Sequence, residues 1–277
     1  MPDLNLVPPV FGYVIAGVFG AIIGSFLNVV IHRVPRLIDA HDGNVSARQY
    51  LAGLAWPASH CAQCSHPLAW RDNVPLLSYV VLRGRCRFCR EIYGARYLIV
   101  EILTALTFAY CLASLGLTGK AFLAAMFLAG LIALTVIDIE EQLLPDVVLA
   151  PLFVLGLMFQ ALYGSGIVTA VLGAAAGYAA LWLIRETYRL YAGIEGMGYG
   201  DVKFAGVLGA WLGMSALPVM FMIAFASGVA VSLPLLLTGR IGKQVAIPFG
   251  PFLAFAGALA FVTPAVTPLL LNLFGVT

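Results

Sequence analysis

The sequence predicts an all-α polytopic membrane protein of about eight transmembrane helices, with a small polar domain between the first and the second. Three observations carry that expectation. The 277 residues are 62% hydrophobic and only 10% charged, where a soluble globular chain is about 25% charged. The apolar residues fall into runs close to the roughly 20 residues that a helical span requires. One stretch, residues 32–96, is instead polar and arginine-rich and holds four of the five cysteines. Net charge is +2, which gives no indication of nucleic acid, and none is expected as a partner; the lipid bilayer is.

Taken in order, the runs are 10–31, 97–116, 120–138, 146–163, 167–185, 201–213, 216–238 and 249–274. The first follows "MPDLNLVPPV", which has an acid and no basic residue, while Arg33 and Arg36 come after the run. A cleavable signal has the opposite order, so residues 1–31 read as a first membrane helix with its N-terminus outside. The polar stretch 32–96 carries nine of the fifteen Lys and Arg but only Asp39, Asp42, Asp72 and Glu91 as acids. A basic loop of that kind stays cytoplasmic. Within it, "LIDAHDGNVSARQYLAGLAWPA" (37–58) is expected to hold a short amphipathic helix. Counting spans from there puts Glu140 and Glu141, Arg185 to Lys203, and Arg240 with Lys243 on the same side, and both termini outside. Residues 97–277 then form one membrane domain.

The cysteines are spaced Cys61-x2-Cys64 and Cys86-x2-Cys89, with residues 65–85, 21 residues, between the pairs. Each knuckle puts two thiolates on one tight turn, and two knuckles complete a tetrahedron, the pattern of a structural zinc site. Four thiolates leave no open position for water, so such a zinc does not catalyse. The competing readings are two redox pairs or four unrelated thiols, which a reducing cytoplasm disfavours. Cys111 lies in an apolar run and reads as a buried thiol.

Two acids mark membrane-facing helix ends. Asp138 closes the third run in "LIALTVIDIEEQLLPD", and Asp201 opens the sixth in "GMGYGDVKFAG". Ionisable residues at membrane depth are costly and are functional suspects by default. Gly196, Gly198 and Gly200 permit close approach of another backbone. Asp146, at the start of the fourth run, reads as an N-cap or interfacial residue, and Glu140 and Glu141 as solvated charges. Two carboxylates that share a site can hold one proton between them, so one activates water while the other protonates the leaving amine. The residues alone leave a second reading open, in which each Asp pairs with a base such as Lys203 and ties helices together.

Five ordered stretches resemble the bacterial type IV prepilin peptidases, the leader peptidase/N-methyltransferases of pilus assembly and type II secretion. They are "GSFLNVVIHRVP" (24–35), the cysteine loop through "RYLIVE" (61–101), "IDIEEQLLPD" (137–146), the GxGD of 198–201, and "IPFGPFLAFAG" (247–257). The chain departs in lacking a proline in the first knuckle and in having Leu98 where proline is common. The resemblance implies an intramembrane aspartyl protease of the bacterial inner membrane. Its substrates are type IV prepilins and pseudopilins, cut after a glycine at the end of a short basic leader on the cytoplasmic side. The new N-terminal amine is then methylated from S-adenosylmethionine. By motif position Asp138 and Asp201 are the catalytic pair, Gly198 and Gly200 the motif glycines, and Cys61, Cys64, Cys86 and Cys89 the zinc ligands. Lys203 takes a supporting role.

No glycine-rich dinucleotide fingerprint is present. A methyl-donor site must therefore come from the polar loop and helix ends, with Asn28, Arg33, Asn73, Arg83, Arg96 and Glu101 as candidates. Each also suits a structural hydrogen bond or ion pair. The alternatives to the bifunctional enzyme are a peptidase that does not methylate, a transporter that uses the two acids as a relay, and a zinc-bearing scaffold without catalysis.

Overall fold

The computed structural model describes residues 9–56, 60, 61, 63–194, 196–239 and 247–264. The N-terminal residues 1–8, Ala62, Arg240, Lys243 and the end of the last run lie outside them. Among the described residues the secondary structure is helical, with two isolated β-bridges and no strand. Ten α-helices follow in order: α1 (Pro9–Ala40), α2 (Ala47–Ala55), α3 (Leu77–Leu82), α4 (Arg96–Leu115), α5 (Gly119–Glu141), α6 (Asp146–Tyr163), α7 (Ile167–Ala192), α8 (Tyr199–Leu212), α9 (Leu217–Leu237) and α10 (Gly250–Val262).

Each of the eight apolar runs holds a helix, and among the described residues six are long and apolar enough to cross a membrane: α1, α4, α5, α6, α7 and α9. The protein is a multi-pass membrane protein. The sixth run behaves differently from the others. At 14 residues, α8 is about 21 Å long, short of a hydrocarbon core of about 30 Å. It ends at Gly213, whose φ of +76° suits glycine best. Nearly every residue of α8 from Asp201 to Trp211 is buried, so its apolar character serves protein contacts on all sides rather than lipid.

The chain divides into two compact units, one up to Ala133 and one from Leu134, the boundary falling inside α5. In the first unit α1 packs along α4. Gly20 and Gly24, four apart on α1, let the helices meet backbone to backbone. A Cβ on Gly20 would lie 2.7 Å from Thr104 O, and one on Gly24 2.8 Å from Glu101 Cα. Small residues at this spacing are how helices associate where lipid supplies no hydrophobic drive.

The first helix runs nine residues beyond the expected end at 31, through Pro35 to Ala40. The extension has a purpose in packing. Leu37 lies against Gly53 of α2. The Arg33 guanidinium donates to Gly53 O and Leu54 O, both at 3.1 Å. Those are last-turn carbonyls of α2, which have no intrahelical partner. At its other end α2 is closed by a capping box, Ser46 with Gln49, typically worth about 1 kcal/mol. The expected amphipathic helix is thus present, confined to 47–55.

In the second unit α8 is the central element, packed by α7, α6 and α10. Gly173 of α7 and Gly209 of α8 face one another so closely that a Cβ on either would run into the other's carbonyl. Trp211 is fully buried. Its Nε1 donates to Leu152 O of α6 at 2.8 Å, and its own carbonyl accepts from Gln160 Nε2 at 2.7 Å. These contacts fix α8, and with it the residue at its first turn.

Candidate active site and metal centre

Asp138 and Asp201 both belong to the second unit. Asp138 lies in the last turn of α5, and Asp201 in the first turn of α8. Both are buried, with 5% and 8% of their surface exposed, and they are near enough to interact electrostatically. Isolated buried carboxylates are rare, so two at mutual range form a functional candidate on physical grounds alone.

The local sequence explains each placement. Gly198 is the N-cap of α8, with φ −65° and ψ 148°, and Asp201 is the third helical residue. From there its carboxylate reaches back to the Gly198 N–H, the return half of a capping box. An acid at this position also faces the positive end of the helix dipole. Asp201 Oδ1 is buried and has no hydrogen-bond partner, so only half of the carboxylate is used by the fold. Gly200 is needed for close approach: a Cβ there would be 3.0 Å from Leu144 Cβ in the turn after α5. On the other side, Asp138 Oδ2 accepts from the Gly250 N–H at 2.9 Å in a buried bond.

Lys203 is not the partner of either acid. Its ammonium lies 2.7–2.8 Å from both oxygens of Asp146, and this pair is exposed. Asp146 is the first residue of α6, preceded by Pro145 at the N-cap, so it does not cap the helix as expected. It anchors Lys203 instead. Glu140 and Glu141 are exposed, as expected. Sequence reasoning missed two residues at this end of the molecule, Gly250 and the Asp146 partner of Lys203. The Gly-Pro of "IPFGPF" was a signal for the first, since it marks a helix start. The second had none, with 57 residues between the partners.

The four cysteines of the first unit come together as the spacing predicts. Their sulfurs all lie within 4.8 Å of one another. Cys61 Sγ is 3.7 Å from Cys89 Sγ, and Cys64 Sγ 4.0 Å from Cys86 Sγ. A tetrahedron with metal–sulfur bonds of 2.3 Å requires ligand separations of about 3.8 Å, so the residues fit a zinc-sized ion. The two knuckles repeat one design. Cys61 N–H donates to His66 O and Ser65 N–H to Cys61 O; Cys86 N–H donates to Glu91 O and Arg90 N–H to Cys86 O. Ser65 and Arg90, one after each second cysteine, both take positive φ, at 55° and 59°. Amide N–H groups of Cys89 and then Phe88 bring the Cys86 thiol down to about 6. At Cys89 the Glu91 amide pulls the same way, but desolvation and the other three sulfurs carry it up to about 12. Four sulfurs this close cannot all be thiolates without a cation among them.

Asp72 holds a single turn, 70–73, to the second knuckle. It is buried and accepts from Arg87 Nε at 2.9 Å and Nη2 at 2.6 Å. The Arg87 guanidinium keeps its carboxyl below the usual range.

The methyl-donor candidates divide. Asn28 Nδ2 donates to Tyr97 O at 3.0 Å. Glu101 accepts from Leu76 N–H at 2.8 Å and from Ser25, and Arg33 is bonded to α2 as above. Asn73 and Arg83 are exposed, and the Arg96 guanidinium lies over the Tyr97 ring. Of the set, Asn28 Oδ1 is buried without a hydrogen-bond partner.

The fold and these two centres define a multi-pass helical membrane protein with a buried aspartate pair and a four-cysteine domain. Residues 18–115 match the bacterial peptidase A24 N-terminal domain, and residues 125–233 the type IV leader peptidase family. The chain belongs to that family. It is similar to proteins named prepilin leader peptidase/N-methyltransferase. That of Burkholderia pseudomallei strain 1026b is 42% identical over 265 residues, covering 89% of this chain and 84% of the relative. That of Aeromonas hydrophila is 42% identical, covering 88% of each, and that of Pseudomonas aeruginosa 37%, covering 88% and 87%. No solved structure matches the chain.

Proposed function

We propose that this chain removes the leader of type IV prepilins or pseudopilins at the cytoplasmic face of a bacterial inner membrane and then N-methylates the new terminus. The observation that carries the peptidase reading is the pair of buried, interacting carboxylates on the ends of two helices, neither of them paired with a base among the described residues. Asp138 and Asp201 are the catalytic residues in this reading. One takes a proton from water as the oxygen attacks the scissile carbonyl; the other gives its proton to the leaving nitrogen as the C–N bond breaks. The products are a leader carboxylate and a free amine, and the pair again holds one proton. Gly198 and Gly200 place Asp201, and their lack of side chains leaves room for an extended substrate backbone beside it. Hydrolysis needs water, which explains acids at helix ends rather than at mid-membrane.

Zinc is assigned to Cys61, Cys64, Cys86 and Cys89, where it cross-links the two knuckles. S-adenosylmethionine supplies an electrophilic methyl group for the new amine when bound. Asn28 is the favoured contact, since its Oδ1 is a buried acceptor that the fold leaves unused; Arg33, Asn73, Arg83, Arg96 and Glu101 are the other candidates. The loop charges support cytoplasmic placement of the cysteine domain and an outside N-terminus.

The test is mass spectrometry of a prepilin incubated with purified protein and S-adenosylmethionine, beside the Asp138→Asn and Asp201→Asn proteins. Loss of the leader and gain of one methyl group, both absent with either variant, is the expected result. Full cleavage by a variant sinks the aspartate pair; cleavage without methylation sinks the second activity.

A further inference from the structure

We propose that Gly250 is a positioning residue of the peptidase, whose backbone N–H fixes Asp138 and whose missing side chain makes room for it. This rests on the aspartate reading above and adds to it the element that orients one of the two acids.

The first turn of α10 supplies the donor. The first N–H groups of a helix have no partner four residues back within it. Here Pro251 has no N–H, and the Phe252 N–H closes on Phe249 O at 3.1 Å, as does that of Leu253 at 3.2 Å. The Gly250 N–H is left over, buried, and it meets Asp138 Oδ2 at 2.9 Å. The bond joins residues 112 apart in sequence, so α10 is the element that holds the α5 carboxylate from outside its own helix. A charged acceptor at a helix N-terminus is held both by the hydrogen bond and by the helix dipole.

Only glycine permits this contact. A Cβ at 250 would lie 2.5 Å from Asp138 Oδ2 and 3.0 Å from its Cγ, and the carboxyl would have to swing away. The two acids are therefore held unequally. Asp138 has one oxygen committed to the backbone of a third helix, while Asp201 is held within its own first turn and keeps Oδ1 unpartnered. A reacting carboxylate displaced by about 1 Å loses on the order of 10²-fold in rate, so α10 contributes to catalysis although it supplies no acid.

The experiment compares four proteins in steady-state prepilin cleavage. Gly250→Ala adds the obstructing methyl. Replacing residue 250 by glycolic acid, its α-hydroxy analogue, turns the N–H into an ester oxygen and adds no bulk. Gly257→Ala adds a methyl to the same helix at another tight contact, 2.6 Å from Leu208 Cδ2, away from the acids. Asp138→Asn retains an oxygen that can accept from the Gly250 N–H and lacks the chemistry. Gly250→Ala is expected to lower kcat about 10²-fold and the ester about 10-fold or more, with KM changed less than about two-fold because substrate binding is untouched. Gly257→Ala is expected to lower the melting temperature without that loss of kcat. A wild-type kcat in the ester protein, or an equal kcat loss in Gly257→Ala, overturns the role of Gly250. Cleavage by Asp138→Asn overturns the aspartate reading itself, independently of what the other variants do.

Discussion

The two centres of this molecule are built by opposite means. The aspartate pair is held by packing: a nearly fully buried helix, glycine-to-backbone contacts and a tryptophan bonded to two neighbours place Asp201, and the buried Gly250 N–H holds Asp138, within a close-packed interior. The cysteine domain has almost no such interior. Of its described residues from 60 to 95, the buried ones are Cys61, Asp72, Gly84 and Cys86, and small domains with so little core depend on a metal or other cross-link. On the proposed function, the first centre should therefore lose its chemistry and keep its shape, and the second should lose its shape when one of the four cysteines is removed.

The largest expected effect breaks the comparison on the chemical side. Asp138→Asn and Asp201→Asn are nearly isosteric and leave the glycine contacts untouched. Cleavage should fall by at least about 10³-fold, within the range that a positioned acid or base contributes, while zinc content and melting temperature stay near wild type. Leader removal followed by mass spectrometry, with metal analysis on the same sample, reads both. A variant that is inactive because it has unfolded would place the aspartates with the structural residues.

Cys86→Ser breaks it on the structural side. Zinc binding to such ligand sets is worth about 10–16 kcal/mol of apparent folding free energy, far more than this small core supplies. Zinc stoichiometry should drop from near one to near zero, and the domain should become protease-sensitive. Methylation is expected to go with it, while cleavage of the leader falls far less. A Cys86→Ser protein that keeps its metal, or one that loses cleavage as fully as Asp201→Asn, would erase the distinction between the two centres.

A smaller effect sharpens the structural half. The Asp72 carboxyl is held below its ordinary value by Arg87. A depressed acid stabilises the folded state fully above the unfolded-state pKa, about 3.9, and that contribution is lost as pH falls through the lower folded-state value. The melting temperature of wild type should exceed that of Asp72→Asn by a constant margin from pH 7 down to about 5. The margin should close only below the ordinary carboxylate range. Metal loss at low pH is common to both proteins and cancels in the difference. A margin that changes between pH 7 and 5 would mean that another group controls the knuckle.

How much of this was legible in the sequence differs between the centres for the same reason. The four cysteines announce themselves because a metal site is specified by local spacing, and the knuckle turns are complete within a few residues. The two aspartates were visible as charges at the ends of apolar runs. What holds them was not, because Gly250 and Asp138 are far apart in sequence and a backbone N–H has no letter of its own. The length of α8 is a similar case. A thirteen-residue, mostly apolar run reads as a short span, and only burial on all sides shows a core helix. The first apolar run ends at 31, yet α1 continues to Ala40 because Arg33 and Leu37 have α2 to pack against.

The smallest expected effect concerns Lys203, two residues from Asp201 and the obvious candidate for tuning it. The structure gives the ammonium to Asp146, in an exposed pair. Exposed ion pairs contribute about 0–1 kcal/mol, equivalent to at most about a five-fold change in any rate that depends on them. Lys203→Met and Asp146→Asn should each alter kcat/KM for a prepilin by less than that. The double variant should resemble the singles, since either change alone already removes the pair. A loss of 10²-fold or more in Lys203→Met, unmatched by Asp146→Asn, would show that the lysine acts on the substrate or on Asp201 directly. In that case the buried aspartate centre, like the cysteine domain, would depend on a charged group at its surface, and packing alone would not account for its precision.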